Sequence, residues 1–270
     1  MLDRLKSDFT ITVEVVTPAG PDPKALLESL GSIGSLPFYG YSVATNPVAK
    51  SRMSSLAFCS LIMRSLGKPA VLHCTTRDHN RLSLQGLLWG ARALGIDTVL
   101  VATGDFVALG ERLSTTIVRD VDVFGLVEMA REAGLATGVV MTYYQERSER
   151  EREIRRLERK IERGAQFIVT QPIYDEASAQ SLSEVAAGLS TPIVMGILPL
   201  RTSRHTDFLH ERVAGIYIPE GVRERMGRAG DQIAEGISLA REAVLLARDR
   251  FSGVCIMPPF GHYEIVTEII

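Results

Sequence analysis

A glutamate stands in the middle of an apolar run, Ile11-Thr12-Val13-Glu14-Val15-Val16, closed by Thr17-Pro18. The β-branched residues make the run a strand. Glu14 then either faces water from an edge strand or lies on a strand covered on both faces, as strands of parallel sheets are. In the second case its poorly solvated carboxyl has a raised pKa, keeps a proton near neutral pH and can serve as a general acid. Further polar groups end other apolar runs: Ser42, with Thr45 and Asn46 beyond; His73, then Thr75-Thr76-Arg77-Asp78; Thr103-Gly104-Asp105; and Gln171, followed by Tyr174-Asp175. Packing alone does not explain polar side chains gathered at one end of apolar strands.

The elements that must position these residues alternate along the chain. Strands are expected at Ile11–Val16, Phe38–Val43, Ala70–Thr75, Thr98–Thr103, Thr137–Thr142, Phe167–Gln171, Ile193–Leu198 and Gly253–Met257. Apolar residues at helical spacing fill the intervals at Leu82–Leu94, Val123–Ala133 and Ile154–Ile161, and a long helix at about Ala229–Arg250 precedes the last strand. Gly95, Gly134 and Gly164 follow helical segments as C-caps. This βα alternation is that of a parallel sheet, and eight strands is the number that closes a barrel. An open doubly wound sheet shares the alternation, usually with fewer strands. The expected fold is an α/β chain forming a (β/α)8 TIM barrel, a single domain over residues 1–270. In such a barrel the site lies at the C-terminal ends of the strands.

Composition excludes several classes. With a net charge of −2 the chain offers no basic surface for nucleic acid. Its basic stretch, Arg147 to Arg163, alternates with Glu and reads as a salt-bridged helix face. Three cysteines without a CxxC pair argue against a disulfide framework or a structural zinc site. The N-terminus lacks the apolar core of a signal peptide and no run is long enough to span a membrane, so a cytoplasmic protein without membrane contact is expected.

Taken in order, Val13-Glu14-Val15-Val16-Thr17-Pro18, Leu72-His73-Cys74-Thr75, Ala102-Thr103-Gly104-Asp105, Arg159-Lys160 with Gly164-Ala165, Thr170-Gln171-Pro172-Ile173-Tyr174-Asp175 and Gly196-Ile197-Leu198-Pro199 resemble the methylenetetrahydrofolate reductase family, in its short form with the catalytic barrel alone. The resemblance implies an oxidoreductase of one-carbon metabolism, serving methionine biosynthesis. The implied reaction reduces 5,10-methylenetetrahydrofolate to 5-methyltetrahydrofolate through FAD, itself reduced by NADH or NADPH. It assigns Glu14 as general acid and Asp105 as the carboxylate beside the flavin. Ser42, His73, Thr103, Gly104, Arg159 and Lys160 become cofactor-binding residues, with the basic pair near the phosphates. Gln171 and Tyr174 fall to the folate. No metal site is implied; a homo-oligomer or a redox partner subunit is.

The chain departs from this pattern where many members have Tyr-Pro-Glu and a histidine; here Tyr143-Tyr144-Gln145-Glu146 stands. The aromatic expected after the Gly-Ile-Leu-Pro turn is replaced by Arg201-Thr202-Ser203. Two other readings therefore stand beside the first: a flavin-independent reductase using NAD(P)H directly, and a folate- or flavin-binding subunit of a methyl-transfer or redox complex. A barrel aldolase or isomerase would want a lysine at a strand end, and the strands above offer none.

Overall fold

The computed structural model describes residues 1–105, 115–213 and 215–270. Eight parallel strands close in sequence order into one barrel: β1 Thr10–Val16, β2 Gly40–Ala44, β3 Ala70–Thr75, β4 Thr98–Ala102, β5 Ala136–Met141, β6 Phe167–Pro172, β7 Ile193–Ile197 and β8 Gly253–Ile256. β1 pairs with β2 on one side and β8 on the other, so no strand is an edge. The helices are α1 Leu2–Ser7, α2 Lys24–Ser32, α3 Ser55–Leu66, α4 Arg81–Ala93, α5 Val123–Glu132, α6 Arg147–Glu162, α7 Glu176–Ala187, α8 Ser203–Arg212, α9 Glu220–Arg228, α10 Gln232–Arg248 and α11 Val266–Ile269. Among the described residues, no helix is long and apolar enough to cross a membrane.

Strand alternation divides the core in two. Ile11, Val13 and Val15 of β1, Tyr41 and Val43 of β2, and their counterparts around the barrel face outward and pack against the helices. Val71, Leu100, Phe167, Val169, Val194 and Cys255 face inward and fill the barrel. Leu5 of α1 joins this inner cluster, so the first helix plugs the N-terminal end.

The expected C-caps Gly95, Gly134 and Gly164 all take positive φ, which closes each helix and turns the chain into the next strand. Two parts differ from expectation. α6 begins at Arg147, seven residues before the periodic apolar signal at Ile154. The β7–β8 connection carries α8 and α9 ahead of the long helix, and Leu200, Leu209, Ile218, Val222, Met226 and Leu239 give that insertion its own small core.

One irregularity shapes the site. The β6–β7 register shifts between Val169 and Pro172. Thr170 Oγ1 accepts from the Gly196 N–H at 3.0 Å and donates to the Gln171 carbonyl at 2.7 Å. A Cβ at position 196 would lie 2.4 Å from the Thr170 carbonyl oxygen, so only glycine fits against this bulge. Gly196→Ala should cost about 1–3 kcal/mol of stability, as overpacking against backbone does. Urea unfolding would read it; a parent-like midpoint would show that the bulge relaxes freely.

Candidate active site

The outward set on β1 fixes where Glu14 points. With Ile11, Val13 and Val15 packed on the helices, Thr12 and Glu14 project into the barrel. Glu14 lies in register with Ser42, and Thr12 with Cys255, so the inner apolar layer sits just beneath the carboxyl. Among the described residues nothing donates a hydrogen bond to it. Burial, and secondarily the nearby charge of Asp105, push its pKa from 4.5 up to about 7. Closure of the sheet removes the edge-strand reading: Glu14 points into the barrel mouth, half-buried, and meets water only through the cleft.

His73 stands on the inner face of β3. Its Nε2 is 2.7 Å from the Ser42 Oγ, and burial lowers its pKa to about 4, so the imidazole is neutral at physiological pH. Thr45 Oγ1 donates to the His73 carbonyl at 2.5 Å, tying the β2 loop to β3. At the end of β4, Gly104 has φ +89° and Asp105 turns toward the barrel mouth. The Val48 N–H donates to Asp105 Oδ2 at 2.5 Å.

These groups surround an open cleft of about 360 Å³ at the C-terminal end of the barrel. Of the residues expected from the sequence, Glu14, His73, Thr103, Gly104, Asp105, Lys160 and Gln171 line it. Ser42 stands behind His73, in contact through its hydroxyl. Gln171 reaches the cleft because the β6 bulge re-aims it.

Two expected residues are placed elsewhere. Arg159 stacks on the Phe124 ring, 4.2 Å away, on the helix layer outside the cleft; one helical step from Lys160 turns it by about 100°, onto another face. Tyr174 lies beyond the bulge, where Ile173 N–H bonds to the Gly196 carbonyl and the chain leaves the mouth. It packs against the β7–β8 insertion and lines a separate cavity of about 320 Å³ with Val222, Leu239 and Glu242. Tyr143 is buried in the helix-side core rather than facing the cleft.

Sequence reading missed Glu153 and Arg156, which line the cleft from α6 with Lys160. The signal was their spacing: positions 153, 156 and 160 share one helix face. Lys160 Nζ donates to the Val140 carbonyl at 2.7 Å and sits 3.7 Å from Glu153 Oε1. Burial pushes the ammonium down to about 8, with Glu153 opposing that shift. A second cavity of about 470 Å³ adjoins the first across Thr103, Gly104, Asp105, Val123 and Arg156. Val118, Val121 and Phe124 give it apolar walls, and Arg77 and Arg119 join Arg156 as cations.

The sequence matches the family model of methylenetetrahydrofolate reductase over residues 1–256. The structure resembles a protein from Clostridium thermocellum that binds two copies of 5-methyl-5,6,7,8-tetrahydrofolic acid, with TM-score 0.73 and 16% identity, covering 99% of this chain and 95% of that one. It also resembles 2,3-dimethylmalate lyase of the PEP mutase/isocitrate lyase superfamily (TM-score 0.55, 11% identity, 98% and 80% covered). Phosphonopyruvate hydrolase matches similarly (TM-score 0.55, 13% identity, 98% and 80% covered). At such identities the structural likeness concerns the barrel itself.

The raised pKa of Glu14 carries a stability consequence. Between pH 4.5 and about 7 the folded chain holds a proton that the unfolded chain has released. Stability contributed by this group is therefore fully present below the lower value and is lost as pH rises through the upper one, by about 2–3 kcal/mol. Glu14→Gln should remove that loss. The variant should exceed the parent in urea unfolding at pH 8 and match it near pH 4.5; parallel pH profiles would mean that Glu14 titrates as an ordinary carboxyl.

Proposed function

The chain belongs to the methylenetetrahydrofolate reductase family, and from that premise we propose that it reduces 5,10-methylenetetrahydrofolate to 5-methyltetrahydrofolate, with Glu14 as the proton donor. One observation carries this reading: a carboxyl without a hydrogen-bond partner among the described residues stands on the inner face of β1 in the cleft, opposite Asp105, where desolvation pushes its pKa up to about 7.

The substrate class explains why such a group is wanted. Methylenetetrahydrofolate carries a one-carbon bridge between two nitrogens. Glu14 delivers its proton to the departing nitrogen; the carbon–nitrogen bond breaks, and the bridge carbon becomes part of a cationic iminium. Hydride addition to that carbon completes the methyl group. An acid with pKa near the working pH combines a populated protonated form with enough driving force to transfer its proton. The carboxylate of Asp105 faces the same cleft and stabilises the cation that forms. Gln171 offers both a donor and an acceptor to a pterin edge. That the C. thermocellum neighbour binds 5-methyl-5,6,7,8-tetrahydrofolic acid supports a folate as the ligand class.

The hydride source is proposed to be FAD reduced by NADH or NADPH. The residues around the paired cavities fit a dinucleotide. Gly104 lies on the rim shared by both cavities, and its φ of +89° and the crowding of Arg77 and Thr75 that a Cβ would cause keep it glycine. Neutral His73 offers a ring nitrogen, Arg156 and Arg119 offer cations for phosphate, and the second cavity has apolar walls for a planar base. Held by His73, Arg156 and Arg119, a flavin would supply hydride chemistry drawn from NADH or NADPH. A flavin-free reaction is favoured by one observation: Arg159 is committed to Phe124, and Lys160 to Val140 and Glu153, so the expected phosphate pair is already engaged.

Glu14→Gln should lower methylenetetrahydrofolate turnover by about 10²–10⁴-fold, the scale of general-acid assistance, while 5-methyltetrahydrofolate still binds. Retained turnover would remove Glu14 from the acid role. The absorbance spectrum of the purified parent separates the two hydride sources: a flavin band supports the first, and turnover by a colourless protein supports the second.

A further inference from the structure

Asp105 is held in place by an unusual piece of backbone. Among the described residues, four non-glycine positions have positive φ; three of them, Asn46, Val48 and Ala49, fall in the turn after β2, at 42°, 50° and 57°. A β-branched residue is strongly disfavoured in this region. Val48 leaves 63% of its surface exposed, so its side-chain packing does not offset the strain. What the turn gains is the direction of the Val48 N–H, which points at Asp105 Oδ2.

Something must over-determine such a turn, and Arg77 is placed to do so. It is buried, 5% exposed, directly after β3. Its Nε donates to Asp78 Oδ1 at 2.5 Å and its Nη2 to Asp78 Oδ2 at 2.7 Å. The same Nη2 donates to the Asn46 carbonyl at 3.0 Å, and Nη1 to the Asp105 carbonyl at 3.0 Å. Asp78 also accepts from Asn46 Nδ2 at 3.0 Å, and Asn46 Oδ1 accepts from the Arg52 N–H at 3.0 Å. One guanidinium thus binds the backbone at both ends of the Val48–Asp105 contact while its charge is neutralised locally. A lysine could keep the ion pair but could not span both carbonyls.

We propose that Arg77, clamped by Asp78, is a positioning residue that fixes the Asn46–Ala49 turn and so holds the Asp105 carboxylate opposite Glu14. This rests on the reading of Glu14 as the acid. The other titratable groups around Glu14 leave Asp105 as the charge that matters. His73 is neutral, and burial pushes both Cys255 and Tyr263 up to about 12. Lys160, Glu153 and Arg156 line the far wall from α6, with Lys160 paired to Glu153. Arg52 lies on the Tyr263 side. If Asp105 drifts, Glu14 keeps its desolvation but loses the like-charge contribution, and its pKa falls part of the way toward 4.5.

The test follows Glu14 itself. The full chain is labelled with ¹³C-glutamate, and the Glu14 carboxyl is assigned by difference against Glu14→Gln and titrated in the parent, Arg77→Lys and Arg77→Met. The expected parent midpoint is about 7, falling by roughly half a unit or more in both variants. The basic limb of the kcat profile should move to lower pH by the same amount, with kcat down about ten- to a hundredfold and KM little changed. Arg77→Lys keeps the buried charge paired and remains informative if Arg77→Met does not fold. A parent midpoint near 7 that stays put in the folded variants overturns the positioning role and leaves the acid assignment intact. A parent midpoint near 4.5 overturns the acid assignment and this proposal with it.

Discussion

A half-buried carboxyl on the inner face of a closed barrel, with no hydrogen-bond partner among the described residues, is the constraint on which the rest depends. Along most of a barrel strand the outward residues meet helices and the inward ones meet other strands, and only the inward residues at the C-terminal end open onto the cleft. Glu14 occupies an inward position one layer above Cys255, among Ser42, His73 and the apolar floor. Ionisation there costs solvation that no described neighbour restores by a hydrogen bond, and Asp105 adds repulsion. The protein accepts a pH-dependent loss of stability to keep an acid poised near neutrality. That trade is common at functional sites and hard to justify by packing.

The groups around Glu14 are divided by environment. His73 is kept neutral by burial, and its Nε2 meets the Ser42 hydroxyl, so it can donate or accept without adding charge. Asp105 sits on a loop, gripped by a backbone N–H, where a carboxylate is well served. Lys160 is drawn inward to a strand carbonyl and shares α6 with Glu153 and Arg156. Two carboxyl groups in one cleft, one starved of hydrogen bonds and one supplied with them, separate proton donation from cation stabilisation.

Much of the barrel was legible because a buried parallel strand leaves a plain mark. The bounds of Ala70–Thr75 were read without error, and the other strands shift by two residues or fewer at either end. Glu14 was legible for the same reason: a charge is conspicuous in a run of β-branched residues. α6 was harder, since its buried face carries Glu153 and Lys160, which a hydrophobic period does not register. The insertion of α8 and α9 was missed because both helices are short and largely polar, with only Thr206 and Leu209 buried on one and Val222 and Met226 on the other, too few to set a clear period. Tyr174 was misplaced because a bulge in β6 is invisible to alternation. The left-handed turn at Val48 runs against residue preference altogether, and its bonds to Arg77, Asp78, Arg52 and Asp105 come from parts of the chain that no local pattern reveals.

The central claim is that Glu14 holds a proton near neutral pH inside the barrel mouth. Infrared difference spectra of the parent against Glu14→Gln, recorded on the unliganded protein at pH 6 and pH 8.5, address it without turnover. A protonated-carboxyl band at pH 6 that gives way to a carboxylate band at pH 8.5, both absent from the variant, is the predicted result. A carboxylate band already complete at pH 6 would contradict the account.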